Sequence, residues 1–308
     1  MLKNPNIFSK EKNCLNKMFD TPLHKLGYKY FIIRKLSSNE SSDIYIVQKS
    51  PAELYTLILF NQGFEEKNFA KQMEIYSRLG ENKNPYFFKY ISNSKDELIF
   101  REKYIVLEFT GKDKLKNYIL SGKFFSEKLA KIVIKKIIDG ISEMHSMGIV
   151  HKKITVDNIF LDRFYNFKIA GFEYAEMVAE KNKEKLFKKD ILGLGMILIQ
   201  LLTGKPEIKV IKDKLKQAIQ KMNFNIFWKI IENQGEYNFT QKLKDLVNQM
   251  LSGQISDISK LLNHEWFNKV QNIDKKQYEL YEQFMINGLK NMKRAKIKWL
   301  EKINKYIF

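Results

Sequence analysis

Residues 148–175 read GIVHKKITVDNIFLDRFYNFKIAGFEYA, and His151, Lys153, Asn158 and Glu173 are the side chains there that could do chemistry. Each has a narrow repertoire. While charged, the Lys153 ammonium cannot take a proton from a hydroxyl, and it repels any metal ion brought close. Asn158 offers one neutral amide, a poor site for a hard dication that prefers several carboxylate oxygens. Glu173 is a carboxylate two residues beyond Gly171, and its recruitment to a metal is the weaker reading. A zinc centre would need cysteine partners for His145, His151 or His264, and the chain has a single cysteine, Cys14; His24 alone supports nothing.

The elements around this stretch are legible. SEKLAKIVIKKIIDGISEMHSMG opens with Ser126 as N-cap, carries Leu129, Val133, Ile137, Ile141 and Met144 at helical spacing, and stops at Gly148. NIFLD and FKIAG read as short strands. DILGLGMILIQLLTG is apolar on nearly all sides, as a helix at the centre of a lobe would be. Upstream, YFIIRKL and DIYIVQK are strand runs separated by the polar SSNESS, and ELYTLILFN is a third. NFAKQMEIYSRLG predicts a helix ending at Gly80, and ELIFREKYIVLEF predicts two more strands. The pattern is α+β, with a strand-rich N-terminal part followed by a larger helical part.

Composition bounds the function. The chain has 308 residues, 44% of them hydrophobic, and a formal net charge of +19. No apolar run is long enough to span a bilayer, and the start has no apolar core of the secretory kind. One cysteine fits a reducing compartment, and the expected location is cytoplasmic, with a nuclear one left open. The positive charge is mainly lysine spread along the chain, not an arginine-rich patch with aromatics, which argues against a nucleic-acid partner.

From Tyr28 to Phe267 the sequence resembles the eukaryotic protein kinase family. The likeness is carried by SEKLAKIVIKKIIDGISEMHSMGIVHKKITVDNIFL, KDILGLGMILIQLLTGKPEI and ISKLLNHEWF, in the family's order. It implies a bilobal fold, with a small antiparallel β-sheet lobe holding one main helix and a larger mainly helical lobe. It also implies degenerate catalytic positions. HKKITVDN aligns with the catalytic loop and puts Lys153 where a proton-accepting aspartate stands, with Asn158 retained. Gly171-Phe172-Glu173 puts glycine where an aspartate holds magnesium. Ser37, Asn39 and Ser42 fall at the three positions of the glycine-rich loop, Ile58 at the strand lysine and Gln72 at its helix partner. Phe160 and Thr56 fall below and above the adenine position. Only 18 residues separate Gly171 from Asp190, no A-P-E is visible, and Ile255 stands at the arginine that would pair with that glutamate.

The expectation is therefore a catalytically inactive protein-kinase-like domain, a pseudokinase, that scaffolds or allosterically regulates another protein, an active kinase among the candidates. No catalytic residue, metal or cofactor is expected. The alternative is a divergent serine/threonine kinase or ATP-binding domain with substitute residues, binding ATP weakly and without magnesium. A second alternative is a basic protein binding anionic membrane or nucleic acid. The expected segments are a polar leader at 1–27, an N-lobe at 28–109, a C-lobe at 110–270 and a basic helical extension at 271–308. Within the last, 286–308 is an amphipathic candidate for a calmodulin-like or anionic-membrane contact.

Overall fold

The computed structural model describes residues 30–268, apart from 51–52, 82–83, 97–101, 110, 112, 121–124, 163–165, 206–211, 234 and 236. The leader at 1–27 and the basic extension at 271–308 lie outside the described residues. The chain divides into two compact units, 30–77 with 89–109, and 78–88 with 110–268. The α+β class and the order of elements agree with the expectation.

In the first unit, β1 (Phe31–Ser38), β2 (Ser42–Ser50), β3 (Glu53–Phe60), β4 (Tyr90–Asn93) and β5 (Tyr104–Glu108) form an antiparallel sheet in the order β1-β2-β3-β5-β4. Successive side chains of a strand point to opposite faces. Tyr30, Val47, Leu57, Tyr104 and Val106 accordingly gather into one buried cluster. β4 went unanticipated, because YISN is short and half polar; the ELIF run expected to be a strand lies outside the described residues, at 97–100. After the sheet's first three strands comes α1 (Glu66–Glu81), which buries Phe69, Ile75, Tyr76 and Leu79. Phe60 at the end of β3 stacks on Phe64 at 4.7 Å and meets Phe69 edge-on at 5.3 Å, joining strand to helix. Gly80 does not end this helix, which runs on to Glu81; a glycine in the last turn weakens a helix by only about 1 kcal/mol.

The second unit is built on two long helices. Helix α2 (Leu115–Leu120) precedes them. The first, α3 (Glu127–Ser146), has its expected cap, with Ser126 Oγ accepting from the Leu129 N–H at 3.3 Å. Its Gly140 is packed so tightly that a Cβ there would stand 2.7 Å from Ile169 Cδ1 and 3.0 Å from Tyr86 Cβ. Short strands β6 (Asp113–Lys114), β8 (Ile159–Leu161) and β9 (Phe167–Ile169) form one sheet, and β7 (Ile149–Val150) pairs with β10 (Glu176–Met177). The second long helix, α4 (Lys183–Thr203), starts seven residues before Asp190, where the sequence placed its beginning. The reason is local: KEKLFKK is rich in helix formers, and Glu184 and Lys188 form an i,i+4 pair at 3.4 Å. The chain between Gly171 and this helix is thereby shorter than the sequence suggested. Helices α5 (Lys212–Gln220), α6 (Phe224–Glu232), α7 (Gln241–Ser252) and α8 (Ile258–Leu262) complete the unit. Gly195 brings α4 against α7, where a Cβ would lie 3.2 Å from both Met250 and Leu251.

Candidate functional site

Asp190 organises the loop that carries the candidate residues. Its carboxylate is fully buried and accepts from the His151 N–H at 2.9 Å, the Lys152 N–H at 2.7 Å and His145 Nε2 at 2.8 Å. Three donors converging on one carboxylate fix the backbone of the loop before Lys153. His151 is buried with both ring nitrogens engaged. Nδ1 accepts from the Lys153 N–H at 3.3 Å, so Nε2 donates to the Ala170 carbonyl at 2.9 Å. Burial pushes the pKa of His151 below its ordinary value, with Asp190 pulling the other way, so the ring is neutral. It meets the buried Phe172 at 5.4 Å and 55°, a tilted rather than stacked contact, and Phe172 in turn meets Phe87. The loop is a rigid frame.

The residues at the reactive positions of that frame are held differently. The Lys153 side chain is exposed, and its ammonium sits 4.4 Å over the ring of Tyr174. Lys152, in a left-handed conformation at φ 67°, reaches Glu176 at 2.9 Å. Asn158 Nδ2 donates to the Lys153 carbonyl at 2.9 Å, so the amide closes back on its own loop. Gly171 stands directly against that amide. It has φ +82°, and a Cβ there would lie 2.4 Å from Asn158 Cγ and 2.5 Å from Oδ1. The Asn158 amide thus occupies the space into which a side chain at 171 would project. Among the described residues no group of three His, Cys, Asp or Glu side chains comes together that could hold a metal ion.

The upper candidates belong to the first unit. Between β1 and β2, Asn39 Oδ1 accepts from the Ser41 N–H at 2.9 Å and the Ser42 N–H at 2.7 Å, and from both serine hydroxyls. The turn is pinned from β3 as well, with Asn61 Nδ2 donating to the Glu40 carbonyl and the Asn61 N–H to Ser41. The Asn39, Ser41 and Ser42 N–H groups are thereby engaged. Ser37 is an exposed strand residue paired with Ile44, and Ser42 is buried. Ile58 lies between Ile44 and Ile105 across the sheet, making a row of three isoleucines. Gln72 is buried on α1, and Thr56 pairs with Ile46 and Leu107. Nearby, the Lys35 ammonium holds Asp43 below the usual carboxylate range at 2.7 Å. Burial, with help from Asp43, pushes the Tyr45 hydroxyl up to about 12.

In the second unit Phe160 meets Phe88 edge-on at 5.6 Å and carries the Lys114 ammonium over its ring. His264 caps the chain before Trp266 and reaches Asp245 at 3.0 Å. Three features were missed from sequence: the Asn39 turn, the Tyr174 ring beneath Lys153 and the Lys152–Glu176 pair. Only the first had a signal, since an asparagine followed by two polar residues between strands is turn chemistry. The other two join residues 21 and 24 apart, whose approach depends on how the loop returns.

Comparison with known proteins fits this geometry. Residues 61–188 match the protein kinase domain family. Probable serine/threonine-protein kinase KCC4 of Saccharomyces cerevisiae is 26% identical over 55% of this chain and 18% of its own length. Serine/threonine-protein kinase chk1 of Schizosaccharomyces pombe is 26% identical over 61% of this chain and 42% of its own. Serine/threonine-protein kinase AtPK1/AtPK6 of Arabidopsis thaliana is 23% identical over 77% and 55%. The chain spans little more than half the length of these relatives at most. With its sheet unit, its helical unit and the loop hung on Asp190, the chain has a protein-kinase-like α+β fold, and residues 61–188 are similar to the protein kinase domain family.

Proposed function

We propose that this protein-kinase-like domain does not transfer phosphate and acts by binding another protein. The observation that carries this reading is the Asn158 amide closed over Gly171. Phosphoryl transfer depends on charge placed at fixed points: a metal ion on the phosphates, a carboxylate for the incoming hydroxyl and donors around the phosphate oxygens. The residues present do not fit magnesium-ATP. Gly171 offers no metal ligand, and the space for one is taken by Asn158. Lys153 offers a cation where an acceptor is needed. The turn at Asn39 has its N–H groups bound to its own side chain, and Ile58 is packed among isoleucines. What the family frame retains here is its backbone support, which suits a binding surface.

The kinase names of the relatives favour a second reading, a divergent kinase using substitute residues such as Glu173. One assay separates the two. Radiolabelled phosphate transfer from ATP to generic protein substrates and to the chain itself is compared with an Asn158→Ala protein. No incorporation above that control is expected. Incorporation by the wild type that vanishes in Asn158→Ala would establish an active site and end the binding-only reading.

A further inference from the structure

The corner between α5 and α6 carries an apolar tip with a basic surround, and neither belongs to the kinase-like site. Met222 is 64% exposed and Ile226 50% exposed, although the same helices bury Leu215, Ala218, Phe227 and Trp228 inward. Single exposed apolar residues are ordinary, but these two stand four residues apart at one corner of the chain. Met222 turns the chain in a left-handed conformation, φ 52°, where glycine or asparagine would be easier. Asn223 then caps α6, accepting from the Ile226 N–H at 3.2 Å, which sets Ile226 in the helix's exposed first turn.

Between Gln220 and Ile231 every charge is basic. Lys214 and Lys221 lie two turns apart along α5 and its extension, and Lys229 lies one turn beyond Ile226. All three are exposed, and among the described residues none pairs with a carboxylate. From Gln220 to Ile231 the sequence has no acidic residue at all.

We infer that this corner docks on an anionic lipid bilayer, with Met222 and Ile226 entering the interface and the lysines on the headgroups. Exposed apolar side chains beside lysines match the interfacial region of a membrane, where apolar groups sink a few ångströms and cations stay at headgroup level. Each lysine at the surface strengthens binding by about fivefold, and the two apolar side chains together contribute roughly tenfold or more.

The test uses the full chain and vesicles of phosphatidylcholine with or without about one-third phosphatidylserine. Sedimentation is expected only with phosphatidylserine. It is expected to weaken at least about tenfold in Met222→Asp/Ile226→Asp. A second arm does not depend on the folding of that variant. An environment-sensitive dye on Asn225→Cys, in a Cys14→Ser background, is expected to shift blue with anionic vesicles and not with polyglutamate. Absent vesicle binding would overturn the inference. So would binding indifferent to the tip substitutions, which would place it on lysines elsewhere, including 286–308. An equal dye response to polyglutamate would point to an acidic protein partner and overturn it too.

Discussion

Replacing Gly171 with alanine tests the feature on which the functional reading rests. Two penalties follow from the geometry. The backbone at φ +82° is left-handed, and an L side chain there raises the energy by about 1–2 kcal/mol. The new Cβ would also stand 2.4 Å from Asn158 Cγ, so the amide has to swing away and release the Lys153 carbonyl, a hydrogen bond worth about 1 kcal/mol. The sum is roughly 2–3 kcal/mol, or a fall in melting temperature of about 5–10 °C for a domain of this size. Urea unfolding of the wild type, Gly171→Ala, Asn158→Gly and the double variant forms a thermodynamic cycle. Removing the Asn158 side chain relieves the clash and leaves the backbone penalty. The double variant is therefore expected to be more stable than the sum of the singles by about 1 kcal/mol. Strict additivity, or an unchanged stability in Gly171→Ala, would refute the contact. The same geometry says why Gly171→Asp should not restore a metal site: the carboxylate would need the volume that Asn158 fills.

Other outcomes follow from the same contacts. Asn39→Ala should destabilise the first unit by about 1 kcal/mol, and the Ser41 and Ser42 amides should exchange hydrogen faster; unchanged exchange would mean that Oδ1 does not hold them. Glu127 accepts from the Thr240 N–H and hydroxyl and from Trp266 Nε1, so Glu127→Ala should lower stability by about 2 kcal/mol in urea unfolding and Glu127→Gln by less. Because burial depresses the pKa of His151 in the folded chain, its contribution is complete above the ordinary value of 6.5 and is lost as pH falls below it. Urea midpoints should drop between pH 6.5 and 5, and His151→Gln should flatten that slope. Thermal-shift titration should show no magnesium-dependent rise with submillimolar ATP, where one-site binding at a hundredfold excess over Kd would contribute about 2.7 kcal/mol.

Much of the frame was legible because its signals are local. Ser126 before a periodic apolar run is a cap whatever the rest of the chain does, and Ile58 in a β-branched run had to be a strand residue. Boundaries set by tertiary context were less so. Gly80 signals an end that the packing of Leu79 overrides, and the start of α4 depends on propensities outweighing a family pattern anchored at Asp190. In the site, residue types told what chemistry was missing, but not what had replaced it. Asn39 read only as a residue standing at a loop-glycine position; in three dimensions its Oδ1 engages the Ser41 and Ser42 N–H groups. Asn158 read as a poor metal ligand left over, whereas it fills the gap that Gly171 leaves.

The division between kept and replaced residues follows from what each loss would do to the fold. Changing Asp190 to a residue that cannot accept hydrogen bonds would strand two backbone N–H groups and His145 Nε2 in the interior, at about 1–3 kcal/mol for each unsatisfied group. Changing His151 would leave the Ala170 carbonyl and the Lys153 N–H without their partner. Positions 153 and 37 are exposed, where substitution rarely alters stability by more than about 0.5 kcal/mol. Stability alone therefore protects the loop's supports and leaves exposed reactive positions free to drift. It does not account for the fit of Gly171 against Asn158 or for the turn at Asn39, each held by its own hydrogen bonds and packing. Gly171 and Asn158 are half-buried and Asn39 is exposed, and contacts of this kind hold each loop rigid, which the proposed binding role would use.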